Sequence, residues 1–177
     1  NEILWALNIT GYECKYSDPR FSKTYEYGIF REQYMTLEEY KKKYFDSSRP
    51  YTVGLLESNM YVSNGQLQPY YALIKSLEAK GCNVIPVVAA GGSENQLKVM
   101  VKYFTNAPSY EAYLNNPLKY TNNVNAIISM PAYGIGGNLF DNTTKYFETA
   151  GVPVFRAVHS DYVSNEEWEL SATGLPG

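Results

Sequence analysis

Charge, cysteine, histidine and long apolar runs are all scarce in this chain, and each scarcity excludes something. Charged residues make up 19% of the 177 and the net charge is −3, with no basic block, so a nucleic-acid surface is not expected. There is one histidine, His159, and a lone imidazole cannot build a zinc site without partners. The two cysteines, Cys14 and Cys82, stand far apart without C-x-x-C spacing, so they make no metal site and do not indicate a disulfide. No apolar run approaches the ~20 residues of a membrane helix. Neither a signal peptide nor a transit peptide pattern opens the sequence. Its glycine-rich stretches lack the spacing of a dinucleotide loop and the lysine of a P-loop, and no G-x-S-x-G elbow exists. Kinase, NTPase and serine-hydrolase readings therefore find no support.

What is present is an ordinary apolar share, 45%, in a length suited to one domain with a full core. The chain runs from Asn1 to LSATGLPG and reads as a piece of something longer. Eighteen tyrosines suit strand and surface packing, or else an aromatic binding surface. Asn8-Ile9-Thr10 and Asn142-Thr143-Thr144 match the glycosylation sequon, a short pattern of little weight alone.

The stretch from Tyr51 to Ala90 sets the plan. Thr52 to Leu56 is a short apolar run suited to a buried strand. After the Ser63-Asn64-Gly65 turn, Leu67, Tyr70, Tyr71, Ile74 and Leu77 recur at helical spacing. Gly81 sits where a helix C-cap belongs, and Asn83 to Ala89 is a second strand. This is a β-α-β unit with parallel strands and a right-handed crossover. Downstream the plan repeats: a helix over Asn95 to Phe104 after Ser93, a short helix at Tyr110 to Leu114, and a strand at Ala126 to Met130. A helix over Asp141 to Ala150, a strand at Val152 to Val158 and a last helix capped by Ser164 or Asn165 complete it. Upstream, residues 1–50 read as an arm and one helix continuing from a preceding domain. Tyr25 to Phe30 is a short strand or extended segment, and Thr36 with Glu39 forms a capping box. Residues 51–177 form the α/β domain. The expected fold is an open parallel sheet with helices on both faces, a flavodoxin-like or Rossmann-like three-layer domain. Its four strands should lie in the order 2-1-3-4.

In such sheets ligands bind outside the carboxyl ends of the strands. That rule selects the loops at residues 57–65, 89–93, 131–138 and 159–165. The candidate binding residues are Asn59, Gly91, Gly92, Gly136, Gly137, His159 and Glu167. Gly91-Gly92-Ser93 precedes a helix, where free N–H groups favour an anion; a tight turn with a serine cap explains the same residues. Gly136 and Gly137 serve a turn equally well. His159 can shuttle protons near neutral pH, or simply pack. Glu166 and Glu167 open a helix, where the dipole favours acids without any function. No catalytic residue emerges from the residue types alone.

Taken in order, several segments resemble one family. GIFREQYMTLEEYKKKYFDSSRPYTVGLL is similar to the stretch entering the core of the large subunit of cobalt and magnesium chelatases. LIKSLEAKGCNVIPVV, AIISMPAYGIGG and GVPVFRAVHSDYVSNEEWELSATGL resemble later segments of that subunit, in its order and spacing, from about Tyr27 to Gly177. Two stretches depart from the family pattern. Ser58 and Met60 stand where it carries an arginine-x-histidine pair, and Phe30-Arg31-Glu32 replaces its tryptophan-histidine-proline.

The resemblance implies a cytoplasmic subunit, although an extracellular surface setting would give the sequons meaning. That subunit binds a tetrapyrrole, of hydrogenobyrinate diamide or protoporphyrin IX type, and inserts Co²⁺ or Mg²⁺ as substrate. ATP is hydrolysed on AAA+ ATPase partner subunits, and no cofactor is expected on this segment itself. Two readings stay open: one domain of a metal-inserting ligase, or a non-catalytic binding or scaffold domain of a divergent homologue.

Overall fold

The computed structural model describes residues 7–13, 15, 27–90, 93–131, 140–157 and 163–172. A hairpin comes first, β1 (Tyr27–Arg31) and β2 (Gln33–Met35), then α1 (Leu37–Tyr44) and β3 (Tyr51–Ser58). α2 (Asn59–Ser63) and α3 (Gln68–Ala79) lead to β4 (Cys82–Ala89), and α4 (Ser93–Phe104) follows. Then come α5 (Tyr110–Asn115), a 3₁₀ turn (Pro117–Lys119), β5 (Ala126–Ser129), α6 (Phe140–Ala150), β6 (Val154–Arg156) and α7 (Asn165–Leu170).

The strands make one six-stranded sheet in the order β2-β1-β4-β3-β5-β6. β4, β3, β5 and β6 are mutually parallel, which is the 2-1-3-4 arrangement expected of the four sequence strands. β1 adds antiparallel to β4, with Tyr27 opposite Ala89 and Ile29 opposite Val87. That pairing stops one residue short of Pro86, which has no N–H to offer a ladder. Of the expected segment Tyr25 to Phe30, the part from Tyr27 is a strand and residues 25 and 26 lie outside the described residues, and β2 is an element the sequence did not announce. The hairpin turns at Glu32, whose φ of 66° is left-handed and uncommon outside glycine and asparagine.

Side chains alternate between two cores, as a pleated sheet covered on both faces requires. Ile29, Leu56, Ile85, Val87 and Ile127 face one way, against Val101 and Phe104 of α4, Tyr113 of α5 and Tyr146 of α6. Phe30, Leu55, Val84 and Val88 face the other, against Tyr61 of α2 and Tyr70 and Ile74 of α3. The helix ends carry the expected chemistry. Gly81 closes α3 at φ 81° and Gly151 closes α6 at φ 63°, both in the region that favours glycine. Thr36 and Glu39 form the expected capping box on α1, and Ser164 with Glu167 forms a second on α7. α4 begins at Ser93 itself rather than at Asn95.

Two loops are pinned by asparagine side chains. Asn83 accepts the Asp46 N–H at 2.9 Å and donates to the Asp46 carbonyl at 2.8 Å, fixing the linker between α1 and β3. Asn125 accepts the Thr52 N–H at 2.8 Å, holding the loop before β5 against the start of β3. Among the described residues no helix is long and apolar enough to cross a membrane. Cys82 is a free thiol, and Cys14 lies outside the described residues.

Candidate functional site at the carboxyl edge of the sheet

The parallel register lines up the ends of the central strands: Ser58 of β3 lies opposite Ala89 of β4, and Leu56 opposite Ser129 of β5. The Met130 N–H donates to the Leu56 carbonyl at 2.9 Å, and the Ala157 N–H to the Ser129 carbonyl at 2.9 Å, so β3, β5 and β6 end along the same edge. Strand spacing of about 4.8 Å brings such loops within reach of one ligand.

Of the candidate residues, Gly91, Gly92, Gly136, Gly137 and His159 lie outside the described residues. Asn59 is described: it is the first residue of α2, directly past β3 and half-buried, and its carbonyl accepts the Ser63 hydroxyl at 3.2 Å. Glu167 is exposed and committed to its helix cap. Its carboxylate accepts the Ser164 N–H at 2.8 Å, and its own N–H donates to Ser164 Oγ at 3.2 Å. The Ser164 N–H and then the Ser164 hydroxyl hold its carboxyl below the usual carboxylate range. Its acidity therefore has a local cause.

The edge also holds a residue that the sequence reading passed over. β3 runs on to Ser58, so Glu57 is a strand residue, on the face of Val53 and Leu55, and only 1% exposed. Its carboxylate accepts the Ser58 N–H at 2.7 Å. The fully buried Tyr70 phenol sits within its electrostatic reach. Burial first, then Tyr40, Tyr71 and Glu57, push the Tyr70 hydroxyl well above its ordinary pKa. That hydroxyl donates to the Phe30 carbonyl at 2.8 Å. Its burial at the carboxyl end of the central strand makes Glu57 a candidate site residue. The signal was period-two alternation carried two residues past Leu55, hidden because the apolar run ends at Leu56.

At the hairpin, Arg31 makes a bidentate pair with Glu78 at 2.6 and 3.0 Å and stacks over the Tyr44 ring at 4.2 Å. Burial opposes its charge, but Glu78 and Tyr40 outweigh burial and keep the guanidinium firmly protonated. A cleft of about 220 Å³ opens beside it, walled by Glu32, Tyr71, Ile74 and Lys75. No cluster of metal-binding side chains exists among the described residues.

The described residues define an open α/β domain whose parallel strands end along one edge, and sequence comparison gives the lineage. The chain belongs to the CobN/magnesium chelatase family, whose model matches residues 5–177. It is 28% identical over 146 residues to the chloroplastic magnesium-chelatase subunit ChlH of Oryza sativa, covering 80% of this chain and 10% of that protein. It is also 28% identical over 153 residues to an uncharacterised protein of Methanocaldococcus jannaschii, covering 80% of this chain and 11% of that protein. The chain thus spans about a tenth of the length of the curated relatives it matches.

Proposed function

We propose that this domain is one wall of the tetrapyrrole site in a chelatase large subunit, which inserts Co²⁺ or Mg²⁺ into its macrocycle. The family match over residues 5–177 carries the reading. The loops leaving β3, β4, β5 and β6 at one end support it, because glycine loops ahead of helices suit the carboxylate or amide arms of a tetrapyrrole. In this reading the metal ion is substrate and the segment holds no cofactor of its own. ATP is turned over on AAA+ partner subunits, in the cytoplasm, consistent with a sequence without a P-loop. Asn59, Gly91, Gly92, Gly136, Gly137, His159 and Glu167 are the proposed contacts, with Glu57 adding a buried carboxylate at the end of β3.

A second reading, a non-catalytic binding or scaffold domain, is favoured by one observation. Where the family carries an arginine-x-histidine pair, the Ser58 hydroxyl accepts the Met60 N–H at 3.3 Å as the cap of α2, and Met60 is 47% exposed. Neither side chain replaces an imidazole that binds a metal or takes a pyrrole proton.

Protoporphyrin IX titrated into wild type, Gly92→Asp and His159→Ala separates the two. Gly92→Asp places bulk and negative charge in an anion-seeking loop and should weaken binding more than His159→Ala does. Equal affinity for all three proteins would move the site off this edge and leave the scaffold reading in its place.

A further inference from the structure

A second cleft, of about 330 Å³, lies between α4, the turn after it and the start of α5, with Tyr27 of β1 as its side wall. That size falls in the range of small-molecule sites, roughly 300–1,000 Å³. Lys98 and Lys102, one helical turn apart on α4, line one side, and Pro108, Ser109 and Tyr110 line the other.

The acids near this cleft are already engaged. Glu94 holds Lys98 at 3.0 Å. Glu111 accepts its own backbone N–H and the Ser109 hydroxyl, which hold its carboxyl below the usual range. Lys102 is different. Among the described residues it makes no ion pair. Its ammonium instead lies 5.2 Å from the Tyr27 ring centre and 5.2 Å from that of Tyr103. Two aromatic faces thus hold a cation in place without neutralising it. Tyr110 lines the cleft as well, with its hydroxyl enclosed beside Asn142.

A cation with no ion-pair partner among the described residues, set between walls of tyrosine and proline, describes one kind of ligand. We infer that this cleft binds an aromatic organic acid, its anionic group on Lys102 and its ring against Tyr27, Tyr110 and Pro108. The inference does not rest on the chelatase reading: it concerns the Lys102 cleft, and its test involves no tetrapyrrole.

Two probes share a fused aromatic body and differ in charge: anilinonaphthalene sulfonate, an anion, and phenylnaphthylamine, which is neutral. Each is titrated by fluorescence into the 177-residue chain, its Lys102→Met variant and its Lys102→Arg variant, with a urea melt of each protein. Lys102 is exposed, so all three should melt alike. Loss of one charge-assisted contact should weaken sulfonate binding about tenfold in Lys102→Met. Lys102→Arg should retain it, and the neutral probe should bind all three proteins equally. Sulfonate binding that is absent in wild type, or equal in wild type and Lys102→Met, overturns the assignment. So does a parallel loss of both probes.

Discussion

At the residue scale the sheet depends on places where a side chain is missing or spent. Gly54, in the middle of the central strand, is buried beneath α4. A Cβ there would sit 2.8 Å from the Phe104 ring, closer than carbon atoms tolerate. Phe104 is completely buried, so it cannot swing out into solvent. Gly54→Ala should therefore lift α4 off the sheet and destabilise the chain by roughly 1–3 kcal/mol, the usual cost of overpacking a filled core. Urea unfolding checks this; a midpoint equal to that of wild type would mean the ring has room to move. The tyrosines follow the same logic. Tyr40, Tyr61, Tyr70, Tyr103, Tyr113 and Tyr146 are buried, so a third of the 18 are core residues.

At the element scale, the parallel half of the fold was legible, whereas of the antiparallel half only β1 was, as the short strand or extended segment at Tyr25 to Phe30. Strands at residues 52–56, 83–89, 126–130 and 152–158 announce themselves by short apolar runs separated by helices. Right-handed crossovers then restrict their order. β6 came out shorter, at Val154–Arg156, because an edge strand has one partner and exposed side chains to show for it. α2 was hidden because one turn of helix has no periodicity to read. The hairpin was hidden because its turn residue is Glu32 rather than a glycine or asparagine, so local chemistry gave no turn signal. Of the site, the edge was legible from topology, whereas Glu57 was not, since an acid at the end of an apolar run looks like the start of a loop. The hairpin and α1 nonetheless carry weight: Ile29 and Tyr40 are buried in the same core as β3 and β4. A chain beginning at Arg49 would lose both and leave β4 as a bare apolar edge, an invitation to pairing between copies. Each lost core side chain is worth about 1.5–3 kcal/mol. The truncated chain should unfold at markedly lower urea and associate in sedimentation experiments. A monomer of undiminished stability would show that β4 needs no cover.

At the scale of the whole molecule, the buried tyrosines make folding sensitive to alkali on both faces of the sheet at once. Burial, set against a smaller pull from Arg31, pushes the Tyr40 hydroxyl up to about 12. Burial likewise raises Tyr70 on the opposite face and Tyr146 on the inner side of α6. An unfolded tyrosine ionises near pH 10. A group whose pKa is raised in the folded state contributes its full stability below the unfolded value and loses it as pH climbs toward the folded one. For Tyr40 alone that contribution is roughly 2–3 kcal/mol, because each tenfold gain in proton affinity on folding is worth about 1.4 kcal/mol. Stability should therefore hold level up to about pH 10 and then fall steeply toward pH 12. These tyrosines line both cores, so their ionisation should coincide with global unfolding rather than precede it. Circular dichroism and phenolate absorbance, followed together in an alkaline titration, should show the exposed tyrosines ionising first. The remaining phenolate signal should then appear in step with the loss of ellipticity. Tyr40→Phe should retain more of its neutral-pH stability at high pH than wild type does. If all the tyrosines instead ionised in one transition near pH 10 with the ellipticity unchanged, the buried phenols would have to be reaching water in the folded chain, and the two-sided tyrosine core would be wrong.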